Sequence, residues 1–447
     1  MDLLRFSTAG SVDNGKSMLI GRLLHDAKSI FEDQYNSLVR TTARRGGVGG
    51  NVDAVLDDGV AVDLALLTDG LIAEREQGIT IDVAYRYFST PERKFIIADT
   101  PGHEQYTRNM VTGASTADLT IVLVDAGKGV LPQSRRHAAI ASLLGIRHVV
   151  FAINKMDLVD YDQIRFDTLK HEIQAIASKL SLRDVRCIPV SALRGDMVVE
   201  RGARLDWYYG PTLLDHLESV DVSPAVDVPF RFPVQLVSRP GLPADRPDAY
   251  VRGYMGRIES GAIRTGDRVV VQPGGRKTRV KSIVTLDGTL TEAHAPQSIT
   301  LLLDDEIDIS RGDLIVRADA TAAAVKSFDA TLCWMDAQAL LPSGRYLIKH
   351  TTRTTKAMID AVTSKLDIAT LELRDTIDEA ARGELTMNEI ARVRIRTRDP
   401  LMVDAYMDNR ATGAFILIDE VSNHTVAAGM IVRLEVDDAV DDAVDKR

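Results

Sequence analysis

Three short motifs contain the residues most able to do chemistry. Residues 10–17 read Gly-Ser-Val-Asp-Asn-Gly-Lys-Ser, which completes the phosphate-loop pattern G-x-x-x-x-G-K-[ST]. Residues 99–103 read Asp-Thr-Pro-Gly-His, and residues 154–157 read Asn-Lys-Met-Asp. The first motif predicts that the chain holds a nucleoside triphosphate. The last predicts guanine, because Asn-Lys-x-Asp suits the Watson–Crick edge of that base, so the three motifs in this order indicate a GTP-binding switch domain.

The phosphate loop is expected to surround the phosphates with backbone N–H groups. Gly10 and Gly15 allow the backbone to bend so that these groups converge. Lys16 is expected to reach the β- and γ-phosphates, and the Ser17 hydroxyl is expected to ligate Mg²⁺. The residues predicted to bind the phosphates are Gly10, Ser11, Val12, Asp13, Asn14, Gly15, Lys16 and Ser17.

The second motif, Asp99, Thr100, Pro101, Gly102 and His103, is expected to sense the γ-phosphate. Asp99 follows an apolar strand, so we expect its carboxylate to face Mg²⁺ through a water molecule. Gly102 leaves its N–H free to meet the γ-phosphate, which makes the following segment sensitive to GTP or GDP. His103 stands where a group that positions the attacking water belongs.

A segment between these two motifs, residues 77–81, reads Gln-Gly-Ile-Thr-Ile. Thr80 is a candidate to supply its hydroxyl to Mg²⁺ and its N–H to the γ-phosphate, and an ordinary strand entry is the alternative interpretation. Val12 and Ile79 are candidates for an apolar gate that controls the approach of His103 to the water. Packing alone is the alternative role for both.

The third motif, Asn154, Lys155, Met156 and Asp157, is predicted to bind the base. Asn154 is expected to hydrogen-bond guanine, and Asp157 to accept from its N1–H and exocyclic amine. The stem of Lys155 would cover the ring. Adenine reverses the donor and acceptor positions, which leaves Asp157 unpaired at a cost on the order of 1–3 kcal/mol or more.

Three other segments have two interpretations each. Ser191, Ala192 and Leu193 follow a predicted strand at 186–190, where a backbone N–H would meet guanine O6, but the tripeptide alone is a weak signal. The aromatic residues of 207–211 favour a core cluster over a stacking platform. The basic residues 276–281 favour a solvated hairpin edge over a nucleic-acid patch.

Alternating strands and helices must position the motifs. Apolar runs at 4–9, 94–98, 119–125 and 149–154 predict strands, and residues 16–25 and 213–217 have helical spacing. Nearly continuous apolar runs are typical of parallel strands buried on both faces. Because polar motifs follow the strand ends, we predict an α/β P-loop GTPase domain with a doubly wound, mostly parallel sheet.

The second half of the chain reads differently. Residues 222–233 contain three prolines and predict a linker. Short β-rich runs follow at 268–272, 280–286, 298–303, 391–396 and 414–418. We predict two all-β barrel domains after the GTPase domain, although strands alone do not separate a barrel from a sandwich. The predicted domains are residues 1–220, 228–322 and 327–436, and an acidic, disordered tail at 437–447.

Composition limits the function classes. The net charge of −10 over 447 residues disfavours a nucleic-acid partner, since phosphate contacts need a basic face. Two cysteines, Cys187 and Cys333, are too few for a disulfide framework. Neither a signal-peptide pattern nor an apolar run of membrane-spanning length is present. We therefore expect a soluble, cytoplasmic protein without a membrane partner.

The motifs resemble the translation-factor class of GTPases, whose switch domain is followed by two β-barrels. The resemblance rests on Gly-x-Val-Asp-x-Gly-Lys, Asp-Thr-Pro-Gly-His, Glu-Arg-Glu-Gln-Gly-Ile-Thr at 74–80 and the glycine-bounded run at 261–273. Within that class, residues 4–13 and 409–419 are similar to the large subunit of bacterial sulfate adenylyltransferase. Asn14 and Met18 depart from that family, which usually has Asp and Thr there.

The resemblance implies a two-subunit enzyme with GTP and Mg²⁺ as its ligands. A small partner subunit would bind ATP and sulfate and form adenylyl sulfate and diphosphate, in a heterodimer or higher assembly. GTP hydrolysis on this chain would drive that uphill reaction. Residues 75–85 and 102–113 are the expected coupling segments.

Two other functions stay open at this point. One is an elongation-factor-like GTPase that carries aminoacyl-tRNA, which the excess of acidic over basic residues in 221–447 disfavours. The other is a GTP-regulated scaffold without a metabolic product.

Overall fold

The structure is a computed structural model that describes residues 2–30, 32–44, 55–57, 60–67, 82–103, 106–222, 228–238, 252–340, 344–375 and 384–435. The predicted Thr80 and Ile79 and the predicted tail at 437–447 lie outside these residues. Backbone contacts divide the chain into two compact units, Met1–Ser223 with Asp367–Glu372, and Pro224–Leu366 with Leu373–Arg447. No helix in the described residues is long and apolar enough to cross a membrane.

The first unit alternates strands and helices. Its strands are β1 (Asp2–Gly10), β2 (Val55–Asp57), β3 (Val60–Val62), β4 (Ala84–Ser89), β5 (Arg93–Asp99), β6 (Leu119–Asp125), β7 (His148–Asn154) and β8 (Asp184–Pro189). Its helices are α1 (Lys16–Asp26), α2 (Glu32–Arg44), α3 (Thr107–Ala114), α4 (Pro132–Leu143), α5 (Gln163–Lys179) and α6 (Leu213–Ser219). Short 3₁₀ turns occur at Leu64–Leu67 and Met156–Val159.

The predicted doubly wound, mostly parallel sheet is confirmed. Among the described residues six strands follow the order β4-β5-β1-β6-β7-β8, and β4 alone is antiparallel to its neighbour. Every residue of β6 is buried, as its continuous apolar sequence predicts. Asp125 pairs with Asn154, and Thr8 pairs with Asp99. The three predicted motifs therefore meet at one edge of the sheet.

The aromatic cluster after β8 belongs to the core, as favoured from the sequence. Trp207 and Tyr208 pack against Phe166, with ring centroids 5.3 Å and 5.8 Å apart. Tyr209 is the exception, because 90% of its surface is exposed.

The second unit is built from strands. They are β9 (Arg231–Pro233), β10 (Leu236–Ser238), β11 (Gly253–Arg257), β12 (Ala262–Arg264), β13 (Arg268–Gln272), β14 (Arg276–Thr285), β15 (Gly288–Leu290), β16 (Glu292–His294), β17 (Ser298–Leu303), β18 (Leu314–Arg317), β19 (Ala323–Trp334), β20 (Tyr346–His350), β21 (Arg353–Asp367), β22 (Glu372–Asp375), β23 (Ile390–Val403), β24 (Ala414–Asp419) and β25 (Thr425–Glu435). One helical turn, α7, spans Arg410–Gly413.

Both sets of strands close on themselves, which confirms barrels rather than sandwiches. In the first set the path β10-β11-β17-β14-β13-β18-β9 begins and ends on one continuous segment, because β9 and β10 are consecutive. In the second, β20 pairs with both β24 and β21 and so completes the ring. The predicted linker at 222–233 is too long, since β9 already begins at Arg231.

The basic residues lie on an exposed hairpin, the location favoured from the sequence. Arg276 pairs with Val271 across the turn between β13 and β14. Pairing of β14 with β17 starts only at Val280, so in the described residues the stretch 276–279 has a single strand neighbour. Arg276, Lys277 and Arg279 are exposed, which fits a charged edge.

A buried ion pair links the two barrels. Arg231 on β9 is 2% exposed, and its Nε and Nη2 each lie 2.8 Å from an oxygen of Asp404, which follows β23. Asp404 also accepts a hydrogen bond from Thr412. Asn409 Nδ2 donates to Ser260 Oγ at 2.8 Å. The sequence 409–412, read above as a family feature, thus holds the barrels together.

We predict that Asp404→Asn lowers the free energy of unfolding of the second unit by about 3–5 kcal/mol, because Arg231 would stay buried without a counter-charge. The chain has two tryptophans, Trp207 in the first unit and Trp334 in the second. Urea unfolding in a Trp207→Phe background therefore reports on Trp334. The control is Asp329→Asn, whose Arg394 partner at 2.9 Å is 42% exposed, and which should cost less than about 1 kcal/mol.

The effect should depend on pH with a definite sign. Burial works to raise the pKa of Asp404, but hydrogen bonds from Arg231 and Thr412 outweigh it and hold the pKa below its ordinary value of 3.8. The stabilisation is therefore complete above that ordinary value and is lost as the pH falls through the pKa of the folded protein. A difference between Asp404→Asn and the parent that persists in full at pH 2, or a cost no larger than that of Asp329→Asn, would contradict the role of this pair.

Candidate functional site

The phosphate loop has left-handed backbone at Gly15, as expected, and at Asp13, whereas Gly10 is the last residue of β1. It connects β1 to α1, and Gly15 has a φ of +82° while Asp13 has a φ of +65°. A Cβ atom on Gly15 would lie 2.5 Å from Nδ2 of Asn154, which is closer than any side chain tolerates. Glycine is therefore required here both by conformation and by the close approach of the base motif.

Lys16 and Asp99 form a buried ion pair at the mouth of this loop. Lys16 Nζ lies 3.1 Å from Asp99 Oδ1, and the two side chains are 8% and 1% exposed. The same ammonium donates to the carbonyl of Thr100. A buried charge is stable only with such partners. The arrangement keeps a positive charge and a carboxylate ready at the point where β1 and β5 end.

The residues present fit a magnesium ion. Asp99 Oδ2 is buried and has no hydrogen-bond partner in the described part of the chain. Ser17, the second residue of α1, offers a hydroxyl of the kind that Mg²⁺ accepts. Groups of three or more His, Cys, Asp and Glu side chains able to hold a metal are absent from the described residues. Beyond these two residues, water and phosphate oxygens are ligands of the kind that Mg²⁺ prefers.

The second motif lies against the phosphate loop. Thr100 Oγ1 donates to Thr8 O at 2.7 Å, which fixes the start of the motif on β1. A Cβ atom on Gly102 would lie 2.4 Å from the carbonyl oxygen of Gly10. Movement at Gly102 would therefore displace the phosphate loop, and a larger residue at this position would push the two loops apart.

His103 has a buried ring nitrogen without a partner among the described residues, and Val12 is partly exposed. His103 Nδ1 is buried without a partner among the described residues, and its ring lies 6.2 Å from that of Tyr106. Val12 is 41% exposed and is therefore not a core residue. The water-positioning and gate roles stay predictions, as do those of Thr80 and Ile79.

Asn154 joins the loops rather than lying free for the base. Its Nδ2 donates to Asn14 O at 2.8 Å, and its Oδ1 accepts from Ala192 N at 3.0 Å. One N–H of its amide remains for guanine. The side chain thus bridges the phosphate loop, the base motif and the 191–193 segment.

Asn14 acts as a support for the loop. It is fully buried, and its side-chain amide donates to Leu123 O on β6 at 3.0 Å. Its predicted contribution to phosphate binding therefore comes from the backbone. Met156 is fully buried as well, so its side chain packs in the core beneath the base motif.

Asp157 is oriented by the 191–193 segment. Ser191 Oγ donates to Asp157 Oδ1 at 2.6 Å and accepts from Arg194 N at 3.2 Å. The position of the segment after β8 was the basis for its prediction, and the structure brings it against both Asn154 and Asp157.

Sequence reasoning missed Asp125, the last residue of β6. Its Oδ2 lies 3.1 Å from Lys155 Nζ, and its Oδ1 accepts from Gly127 N at 2.9 Å. Burial works to raise the pKa of Asp125, but the Lys128 N–H and the Lys155 ammonium outweigh it, and the pKa is lowered. The carboxylate thus holds the Lys155 stem in place. Its position at a strand end beside the base motif was the available signal.

Comparison with known proteins gives a consistent picture. Residues 1–223 match the family model of the elongation factor Tu GTP binding domain, residues 254–316 that of elongation factor Tu domain 2, and residues 327–432 the GTP-eEF1A C-terminal domain-like model. Sulfate adenylyltransferase subunit 1 of Bacteroides thetaiotaomicron is 50% identical over 452 residues, covering 99% of this chain and 89% of that protein.

Two further relatives differ in length. The subunit 1 of Tolumonas auensis is 50% identical and covers 96% of this chain and 86% of its own. The bifunctional enzyme CysN/CysC of Mycobacterium tuberculosis is 54% identical over 96% of this chain, but the match spans only 67% of that protein.

Asn154 and Asp157 should differ in how much they contribute to the free energy of unfolding, although both should contribute to GDP binding. We predict that Asn154→Ala weakens GDP binding and also lowers the free energy of unfolding of the first unit by about 1–3 kcal/mol, because Ala192 N and Asn14 O lose a buried partner. Asp157→Ala should weaken GDP binding while changing stability by no more than about 1 kcal/mol, since Ser191 is the one hydrogen-bond partner of its side chain among the described residues. Isothermal calorimetry and urea unfolding of the nucleotide-free proteins measure the two effects. Equal stability losses in both variants would contradict the bridging role of Asn154.

Proposed function

This chain belongs to the sulfate adenylyltransferase subunit 1 family, within the elongation factor Tu class of GTPases, and from that premise we propose that it is the GTP-hydrolysing subunit of a two-subunit enzyme. A small partner subunit joins ATP and sulfate to form adenylyl sulfate and diphosphate. GTP hydrolysis on this chain drives that reaction.

The observation that carries the proposal is the meeting of a phosphate site and a base site at one sheet edge. The Lys16–Asp99 pair supplies the groups for phosphate and metal. Asp157, held by Ser191, supplies the acceptor that guanine needs. Asn154 connects the two sites. Such an edge accommodates one nucleotide, with its phosphates at β1 and its base beside β7.

Each side chain has a defined task in hydrolysis. Lys16 leaves Asp99 to neutralise the β- and γ-phosphates, and the backbone N–H groups of the phosphate loop hold the remaining oxygens. Ser17, Asp99 and Thr80 would hold Mg²⁺, and a bound ion would supply positive charge to offset the negative charge that develops on the phosphates. His103 orients the attacking water, and Val12 and Ile79 limit its approach.

Coupling requires that GTP and GDP present different surfaces to the partner. A ligand that bound both states equally would shift nothing. Gly102 touches the Gly10 carbonyl, and α3 starts five residues later at Thr107. Gain or loss of a γ-phosphate contact at Gly102 is thereby passed to the 102–113 segment. Residues 75–85 are the second proposed contact with the partner.

The test is hydrolysis of GTP by the full chain with and without the small subunit, ATP and sulfate. We expect GDP formation to rise when all three are present, and diphosphate to appear in fixed proportion to GDP. Lys16→Gln should abolish both effects, because the phosphate-binding ammonium is lost. Lys94→Gln is the matched control, since Lys94 is an exposed lysine on β5.

Two outcomes would contradict the proposal. Hydrolysis indifferent to sulfate and the partner, but stimulated by ribosomes, would favour the elongation-factor function. Partner binding that depends on GTP but yields no diphosphate would favour a scaffold.

A further inference from the structure

Arg22 connects the phosphate end of the site to the base end. It lies six residues after Lys16 on α1 and is 7% exposed. Its Nε donates to Ala192 O at 3.2 Å, and its Nη2 donates to Leu193 O at 2.7 Å. Nη1 lies 3.4 Å from Asp26 Oδ1, one turn further along the helix. The guanidinium is thus fixed on its own helix and binds two successive carbonyls of the 191–193 segment.

One of these carbonyls belongs to a peptide group with an unused donor. Ala192 N donates to Asn154, Arg194 N to Ser191 Oγ, and Gly195 N to Ser191 O. Leu193 N is therefore the one backbone donor of residues 192–195 that has no acceptor in the described part of the chain. The Ala192 carbonyl and the Leu193 N–H are the two halves of the same peptide.

The planar trans peptide fixes where that N–H points. In a trans peptide the C=O and N–H bonds are antiparallel. Since Arg22 binds the oxygen, the Leu193 N–H is directed away from Arg22. Hydrogen bonds in a chain polarise one another, and a charged donor makes a bond about twice as strong as a neutral one. The Arg22 charge therefore strengthens the Leu193 N–H as a donor.

From this geometry we propose that Arg22 is a positioning residue for the 6-oxo group of guanine. It holds the Ala192–Leu193 peptide so that the Leu193 N–H meets O6, while Asp157 reads the N1–H and the 2-amino group. The inference rests on the proposed guanine-nucleotide site. It assigns discrimination at position 6 and at position 2 of the base to separate parts of the protein.

A second buried arginine shows what a purely structural role looks like. Arg93 is 6% exposed, donates to Leu217 O and Val220 O at 2.9 Å and 2.7 Å, and pairs with Asp2. Its bonds hold the end of α6 rather than the base segment. Arg22 and Arg93 thus make matched contacts, but only Arg22 holds a peptide with an unused donor beside Asn154 and Ser191.

The test compares three nucleotides on the full-length protein. GDP is the reference, 6-thio-GDP replaces O6 by a weaker sulfur acceptor, and IDP lacks only the 2-amino group. In the parent we expect 6-thio-GDP to bind about tenfold more weakly than GDP. In Arg22→Gln this ratio should fall to about two- or threefold, while GDP affinity drops by about tenfold and the IDP-to-GDP ratio stays unchanged.

Two further variants are a conservative substitution of Arg22 and a structural control. Arg22→Lys keeps the charge but lacks the rigid planar fork that fixes two successive carbonyls, so it should give an intermediate 6-thio ratio even where Arg22→Gln is too unstable to measure. Arg93→Gln should lower the unfolding midpoint and leave both nucleotide ratios at their parental values.

An unchanged 6-thio ratio in Arg22→Gln or Arg22→Lys, or equal losses for all three nucleotides, would overturn the inference while leaving the GTP site in place. Failure of the parent protein to bind GDP in preference to ADP would overturn the proposed function and this inference together.

Discussion

The bridging hydrogen bonds of Asn154 are the interaction on which the rest of the site depends. Parallel strands bring the ends of β1, β5, β6 and β7 to one edge of the sheet. The hydrogen bonds between the strands do not fix the positions of the loops that follow them. Asn154 binds the phosphate loop at Asn14 and the base segment at Ala192. Loops that would otherwise move separately therefore present phosphate donors and base acceptors at a fixed separation, which is what recognition of one whole nucleotide requires.

Under the proposed function, the charges around this bridge exchange partners when a nucleotide binds. Lys16 and Asp99 are buried and paired with each other, and one Asp99 oxygen is left without a partner in the described residues. A triphosphate with its metal gives both side chains stronger partners than they give each other. Burial of the pair keeps the effective dielectric low, so in the proposed function the charges would act on a bound γ-phosphate with less screening than in bulk water. Contact between Gly102 and Gly10 makes the resulting change available to the surface that a partner would read.

The elements and motifs that could be predicted from the sequence are those marked by residues close together along the chain. The apolar run of β6, the helix after Lys16 and the barrel strand β13 follow from periodicity and from the residues that bound them. Contacts between distant segments could not be predicted in this way. Arg22 lies 170 residues before Ala192, and Arg231 lies 173 residues before Asp404. The local sequence around each arginine therefore does not identify its hydrogen-bond partner. Proline composition predicts a linker as far as Pro233, because it does not reveal that β9 pairs with β18.

In the proposed function, GTP hydrolysis drives adenylyl transfer rather than merely accelerating it. The most direct measurement uses the complex with the small subunit and waits until the concentrations no longer change. The quantity measured is the product of the adenylyl sulfate and diphosphate concentrations divided by the product of the ATP and sulfate concentrations. If hydrolysis drives the reaction, added GTP will move this ratio well above its value without GTP, and a non-hydrolysable GTP analogue will leave it unchanged. A ratio that is the same with and without GTP, and is only reached sooner when GTP is present, would show that hydrolysis does not drive adenylyl transfer.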